Sequence, residues 1–193
     1  MPIRKLAADD RVDEIVNAVE TMIVRSHTLA FGMNQVAAEI ASSRALIYVY
    51  FEGVPQIIDE LCRRHLAALA DRLGRAGDHD DVSTRASGLG RQYLGYLLDH
   101  GPALHYILRD GDGHGSLEQS RVLLRTLIRT VVGEASARLQ IQLREAMILV
   151  ELLMAIPDSL AQQLRNGRIS LAVAHETCDR LITDLVADLR VVR

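Results

Sequence analysis

Ser42, Ser43 and Arg44 stand side by side, with tyrosines at 48 and 50. These residue types suit one task, the reading of a nucleic acid. A guanidinium at the start of a helix can grip a guanine edge with two parallel hydrogen bonds. Hydroxyls beside it, and the helix's own first N–H groups, can donate to phosphate. Ala45 is small enough to let the backbone approach a groove. Tyr48 offers a hydroxyl to phosphate. Tyr50 reads equally well as a core ring with a wet tip. Gln35 can face the phosphate backbone or simply be a solvated helix residue.

The elements that must hold these residues are legible from periodicity. Met33, Val36, Ala37 and Ile40 repeat at helical spacing, Ser42-Ser43 breaks the pattern with two capping residues, and a second helix follows from Arg44 to Tyr50. Ile47 and Phe51 belong to the core. Two helices of about two turns with a polar break between them are the layout of a helix-turn-helix. A first helix, from Asp9 or Asp10 to about Arg25, carries Val12, Ile15, Val16, Val19 and Ile23 on one stripe.

At Ile47-Tyr48-Val49-Tyr50-Phe51 the chain resembles the TetR family of repressors, whose helix-turn-helix commonly ends in Leu-Tyr-x-Tyr/His-Phe after Ile-Ala, a Gly-Val-Ser turn and a Lys-Gly pair. The matching residues are Val36-Ala37, then Ala41-Ser42-Ser43, then Arg44-Ala45, in register without a gap. The resemblance covers about 40 residues, and beyond them rests on helix number and length. It implies a homodimer on a palindromic double-stranded DNA operator, with a small-molecule effector controlling release. The chain departs from the family pattern at Ala41 for the turn glycine, Ser42 for the valine after it, His27 for the glycine ending the first helix, Phe31 for a capping threonine and Val54 for a lysine. Several groups that would bind the DNA backbone are therefore missing.

The rest of the 193 residues reads as all-α. Aromatics are 4%, with no tryptophan and four prolines, and no apolar alternation marks a strand. A fourth helix spans Pro55 to about Leu73, and GRAGDHDD at 74–81 is a loop. Further helices are expected over Val82–Asp99, Ala103–Arg109, Ser116–Leu139 (with Ser116 and Gln119 as a capping box), Gln142–Arg165 bent at Pro157, and from a Ser170 cap to about Leu189. Residues 1–8 read as a frayed arm. The organisation is thus a DNA-binding domain at 1–53, with its motif at 32–51, and an effector-binding and dimerisation domain at 54–193.

Polar tips on apolar faces are candidates for a ligand pocket between the fourth and eighth helices: Tyr93, Tyr96, His105, Tyr106, Arg125, Arg129 and Glu151, with the apolar Met147 beside them. The apolar surroundings suit a hydrophobic or amphipathic effector. Val150, Leu153 and Met154, with Leu181, Ile182, Leu185 and Leu189, exceed what one chain's flank needs and are candidates for a dimer interface.

Other chemistries find less support. Asp110-x-Asp112-x-His114-Gly115 imitates a calcium loop, but its twelfth position is Arg121 where a glutamate is needed. His175-x-x-Cys178 has no second pair to complete a metal site. No nucleophile elbow, P-loop or dinucleotide fingerprint occurs. The chain therefore reads as a non-enzyme with no cofactor. Gly88-Leu89-Gly90 reads as close helix packing. Cys62 and Cys178 read as buried small hydrophobes. No signal sequence opens the chain, and the stretch Ala146–Ile156, interrupted by Glu151 and closed by Pro157, reads as too short for a bilayer; the expectation is a soluble, cytoplasmic protein.

Net charge is −3. Residues 1–51 hold five basic groups (Arg4, Lys5, Arg11, Arg25, Arg44) against six acids (Asp9, Asp10, Asp13, Glu14, Glu20, Glu39). Phosphate neutralisation drives most protein–DNA affinity, so a second reading stands beside the first: an all-α ligand-binding or interaction module whose helix-turn-helix binds DNA weakly.

Overall fold

A computed structural model describes residues 8–77, 80–111 and 117–191. Among them are nine helices and no strand: α1 (Ala8–Ser26), α2 (Met33–Glu39), α3 (Arg44–Ile47), α4 (Val54–Gly74), α5 (Val82–His100), α6 (Ala103–Asp110), α7 (Ser120–Leu139), α8 (Leu143–Arg165) and α9 (Leu171–Val191). The expected N-terminal arm through residue 7, the middle of the 74–81 loop, Asp112, His114 and the Ser116 cap lie outside the described residues, as does the side chain of Leu189.

Contacts group the chain into two compact units, Met1–Leu66 with Pro102–Leu123, and Ala67–Gly101 with Leu124–Arg193. This grouping does not follow a cut after residue 53, because α6 and the first part of α4 pack with the N-terminal helices. Ile15, Val16, Val19 and Ile23 of α1, Val36 of α2, Ile47 of α3, Ile57 of α4 and Ile107 of α6 are fully buried in the first unit. Their burial, at roughly 1.5–3 kcal/mol for each large aliphatic side chain, is what fixes the short α2 and α3, which could not persist alone.

In the second unit α5, α8 and α9 pack on one another. A methyl group built on Gly90 of α5 would lie 2.1 Å from Ile182 Cδ1 of α9, so the glycine permits the close approach read from the sequence. Asp81 caps α5 by accepting from Thr84 N–H at 2.8 Å, and Gly101 at φ +66° ends it. Ser170 Oγ accepts from Val173 N–H at 3.3 Å, the expected cap of α9.

Two sequence expectations change. The seventh helix starts at Ser120, and its capping group comes from elsewhere in the chain. Asp59 of α4 is buried and accepts from Gln119 N–H at 2.7 Å, Ser120 N–H at 2.9 Å and Ser120 O–H at 2.5 Å. A carboxylate at a helix start satisfies orphan donors and complements the helix dipole better than a neutral serine. The apolar stretch at Ala146–Ile156 also belongs to a longer element: α8 runs 23 residues through Pro157 and, by length and composition alone, could cross a membrane. Asp158 on this helix accepts from the Tyr93 hydroxyl at 3.1 Å, and burial, helped by the charge of Asp158, pushes the phenol far above its ordinary pKa.

Cys62 and Cys178 are both buried and free, and burial raises each thiol to about 11. Both are protonated near neutrality and behave as small hydrophobes.

Candidate functional site

The helix-turn-helix is assembled from bonds between near neighbours. Gly32 N–H donates to Gln35 Oε1 at 2.8 Å, so the Gln35 amide oxygen is committed to starting α2. Ser43 caps α3: its Oγ accepts from Leu46 N–H at 3.2 Å. Ser42 is half-buried and donates its backbone N–H to Ala37 O at 2.9 Å, closing the turn. Ala41 sits in that turn at φ +49°, and His27 ends α1 at φ +57°. These are the two places where glycine was expected from the resemblance. The left-handed backbone is kept there without glycine, at a cost of about 1–2 kcal/mol per residue.

α3 is shorter than the expected Arg44–Tyr50. Regular helix ends at Ile47, and Val49 N–H donates to Leu46 O and Tyr50 N–H to Ile47 O, three residues back, in a tightened last turn. The tightening decides which side chains face outward. Arg44 and Ala45 are exposed, Tyr48 is 47% exposed and Tyr50 is half-buried. Val49, which sequence reasoning passed over, is 72% exposed and is the most outward apolar residue of the segment. Its only sequence signal was its place between two tyrosines.

Arg44 and Tyr48 form a unit. The Arg44 Nη2 donates to Tyr48 Oη at 3.1 Å, and Cζ lies 5.5 Å from the ring centroid. A one-turn spacing brings them together. Stacking on the ring restricts the long side chain, and the other guanidinium N–H groups remain available to an acceptor. Nearby cations are engaged differently. Arg11 pairs with Glu14, Arg64 with Asp13 and Glu60, and Arg25 with Glu39 through two bonds of 3.1 and 2.8 Å. The Arg25 hydrogen bond holds the Glu39 carboxyl below its ordinary pKa. Arg44 makes no ion pair with any described residue. Phe31 and Val54 are half-buried.

The eight expected ligand residues do not converge. Tyr93 and Tyr96 are buried side by side in α5, Tyr93 bonded to Asp158, and the Tyr96 ring lies 4.9 Å from that of His100. His105 is exposed on α6, and Tyr106 packs at 5.2 Å against the His27 ring and beneath Arg109. Arg125, Arg129, Met147 and Glu151 are exposed. None of the eight lines the cavity found in the second unit. That cavity has a volume of about 70 Å³ and is walled by α5, α7, α8 and α9. Its wall includes Val150, Leu153, Met154 and Ile182, four residues the sequence assigned to a dimer interface. The Glu134–Arg138 pair at helical spacing was the visible signal for it; Arg85, which joins that pair, was not.

No protein-family model matches the chain, and no curated protein matches it. Solved structures do. A TetR-like transcriptional regulator from Rhodococcus sp. RHA1 aligns with a TM-score of 0.73 and 14% identity, over 95% of this chain and 99% of its own. The fatty acid degradation regulator FadR from Bacillus halodurans aligns at 0.67 and 12%, over 93% and 97%. A TetR variant from Acinetobacter baumannii AYE, in complex with minocycline, aligns at 0.61 and 13%, over 98% and 99%. The chain has the fold of TetR-like transcriptional regulators. The likeness spans nearly all of both partners in each case, so it includes the helical region where the sequence offered no motif.

Within this TetR-like fold the apolar surface of α8 is displaced from the expected positions. Leu143, Met147, Ile148 and Leu152 are 64%, 51%, 52% and 55% exposed, whereas Val150, Leu153 and Met154 turn toward the cavity. On α9, Leu181 is 43% exposed, Leu185 is half-buried, and Ile182 is core at 1%. On a 3.6-residue helix Ile148 and Leu152 share one side and Leu149, Val150 and Leu153 another, while Met147 and Met154, two turns apart, lie on nearly the same line.

Proposed function

We propose that this protein is a dimeric, ligand-responsive DNA-binding transcriptional regulator, a repressor released from a palindromic operator by a hydrophobic or amphipathic small molecule. The observation that carries the reading is the Arg44–Tyr48 unit, exposed at the start of α3 in a helix-turn-helix of TetR-like fold and clear of any carboxylate among the described residues. Arg44 reads a base edge in the major groove. Ser42, Ser43, Tyr48 and Tyr50 bear on phosphate, and Ala45 allows close approach. Gln35 contributes through its remaining amide N–H groups.

Two copies pair through α8 and α9. Leu181 and Leu185 take part with Met147, Ile148 and Leu152, and the pairing sets two α3 segments one DNA turn, roughly 34–36 Å, apart. The effector changes that separation. Support for an effector comes from the preformed cavity and from the minocycline complex of a protein of the same fold.

A gel shift at low salt against DNA flanking the gene tests the proposal: a preferred site is expected, and none overturns it. Arg44→Ala is expected to relax base preference at a cost of about 1–3 kcal/mol, with folding stability unchanged within about 0.5 kcal/mol because the side chain is exposed. Equal site preference in variant and parent removes Arg44 from the reading role. The ion pairs of Arg11, Arg25 and Arg64 favour the second reading, a helical binding module with weak DNA affinity. A near-zero slope of log K against log salt supports that reading.

A further inference from the structure

We propose that Val49 is a specificity-determining residue for thymine: its side chain meets the 5-methyl group of one thymine in the major groove, about two or three base pairs from the base edge that Arg44 grips. The proposal rests on the DNA-binding reading above and deepens it, since it names a base that the bound site carries. Three observations support it.

The first is exposure in company. Val49 is 72% exposed, more than any other large hydrophobic side chain among the described residues. A single exposed apolar residue is ordinary on a protein surface. Val49 does not stand alone. Ala45, one turn before it, is exposed as well, and each of the two is next in sequence to a member of the Arg44–Tyr48 unit. The outward side of this segment thus combines a guanidinium and a hydroxyl, which suit the acceptors of DNA, with two small apolar groups.

The second is what position 49 has to offer. A valine side chain holds no hydrogen-bond donor. The backbone there has none to spare either: Val49 N–H donates to Leu46 O at 3.2 Å and Tyr50 N–H to Ile47 O at 2.9 Å. Neither a phosphate nor an acceptor on a base edge gains a bond from this position. Apolar contact remains, and the apolar group that base pairs present in the major groove is the methyl of thymine. The branched side chain suits this use, because its χ1 is stiff and little freedom is lost on contact.

The third is reach. The five steps from Arg44 to Val49, at about 1.5 Å each in regular helix and more in the tightened turn, cover roughly 8 Å. Base pairs stack at about 3.4 Å, so the span is two to three of them. A segment laid along the groove with Arg44 on a guanine carries Val49 to a neighbouring base pair within the same half-site.

The test uses the full-length protein and a pool of random-sequence duplexes, from which a preferred site is selected by repeated gel shift. Each thymine of the half-site is then replaced by deoxyuridine, which pairs alike and lacks only the methyl. One replacement is expected to weaken binding about fourfold, the ratio for one methyl group no longer buried. It is expected within about three base pairs of the guanine whose preference is lost in Arg44→Ala. In Val49→Ala the same replacement is expected to cost nothing further, while the slope of log K against log salt stays that of the parent, because no phosphate contact is removed. A scan that weakens binding at no thymine overturns the proposal, as does a half-site without thymine or a penalty as large in Val49→Ala as in the parent. Val49 is too exposed for its truncation to unfold the chain, and the scan on the parent protein needs no variant. Failure to select any preferred site overturns the regulator reading and this proposal with it; a selected site indifferent to thymine methyls overturns this proposal alone.

Discussion

The α3 segment and the cavity differ in how far apart in the chain their parts lie. The exposed face of α3 is built within eight residues: Ser43 caps α3, Arg44 lies on Tyr48, and the tight turn after Ile47 orients Val49 and Tyr50. Every bond in that list spans three or four residues. The cavity takes Val82 and Ile182 into one wall, a hundred residues apart. Local bonds make a site that a short sequence window can reveal and that point changes disturb one residue at a time. Distant packing makes a site with no local signature, in which one substitution repositions several helices.

Three measurements bear on that contrast. The largest expected effect is at Asp59. Asp59→Ala leaves Gln119 N–H and Ser120 N–H without their acceptor at a buried helix start, and a loss of about 2–3 kcal/mol is expected in urea denaturation. The local cap is expected to matter less: Ser43→Ala costs about 1 kcal/mol. Equal losses at the two positions break the comparison between distant and local construction.

Alkaline titration reaches both units, since Cys62 lies in the first and Cys178 in the second. Each thiol is raised in the folded protein from 9.0 to about 11. The folded state holds these protons more tightly, so their contribution is complete below pH 9 and is lost as pH rises toward 11. Each thiol lowers stability by about 1.4 kcal/mol per pH unit in that window. Stability curves of Cys62→Ala and Cys178→Ala should each be flatter there than the parent's. A slope unchanged by either substitution shows that the thiol concerned keeps its ordinary pKa.

The smallest effect is expected where left-handed backbone carries a side chain. Ala41→Gly is expected to stabilise the protein by about 0.5–1 kcal/mol, after glycine's greater freedom in the unfolded chain is subtracted. His27→Gly should gain less, because the imidazole lies 5.2 Å from the Tyr106 ring and that contact is lost. An equal gain at both positions, read from thermal midpoints, shows that the ring contact contributes nothing.

Most helix boundaries were legible because they are written locally. Gly101 after α5 and Ser170 before α9 announce themselves within one turn. The start of α7 was misread because its capping group lies some 60 residues upstream in α4. The ligand candidates were misread for a related reason. Periodicity shows that Tyr93 has a polar tip on an apolar helix, but not that Asp158 already receives it. Arg125 and Arg129 of α7, and Met147 and Glu151 of α8, share helices with the cavity wall but are exposed and do not line it.

The sequence by itself determined the all-α class and the helix-turn-helix around residues 33–51, since helix periodicity and capping depend on residues a few positions apart. Tertiary structure decided which side of α8 is core and which is exposed, where the cavity lies, and what starts α7. Those outcomes depend on helices distant in sequence meeting at particular faces, and the phase of a 3.6-residue helix turns a one-residue difference into a rotation of about 100°.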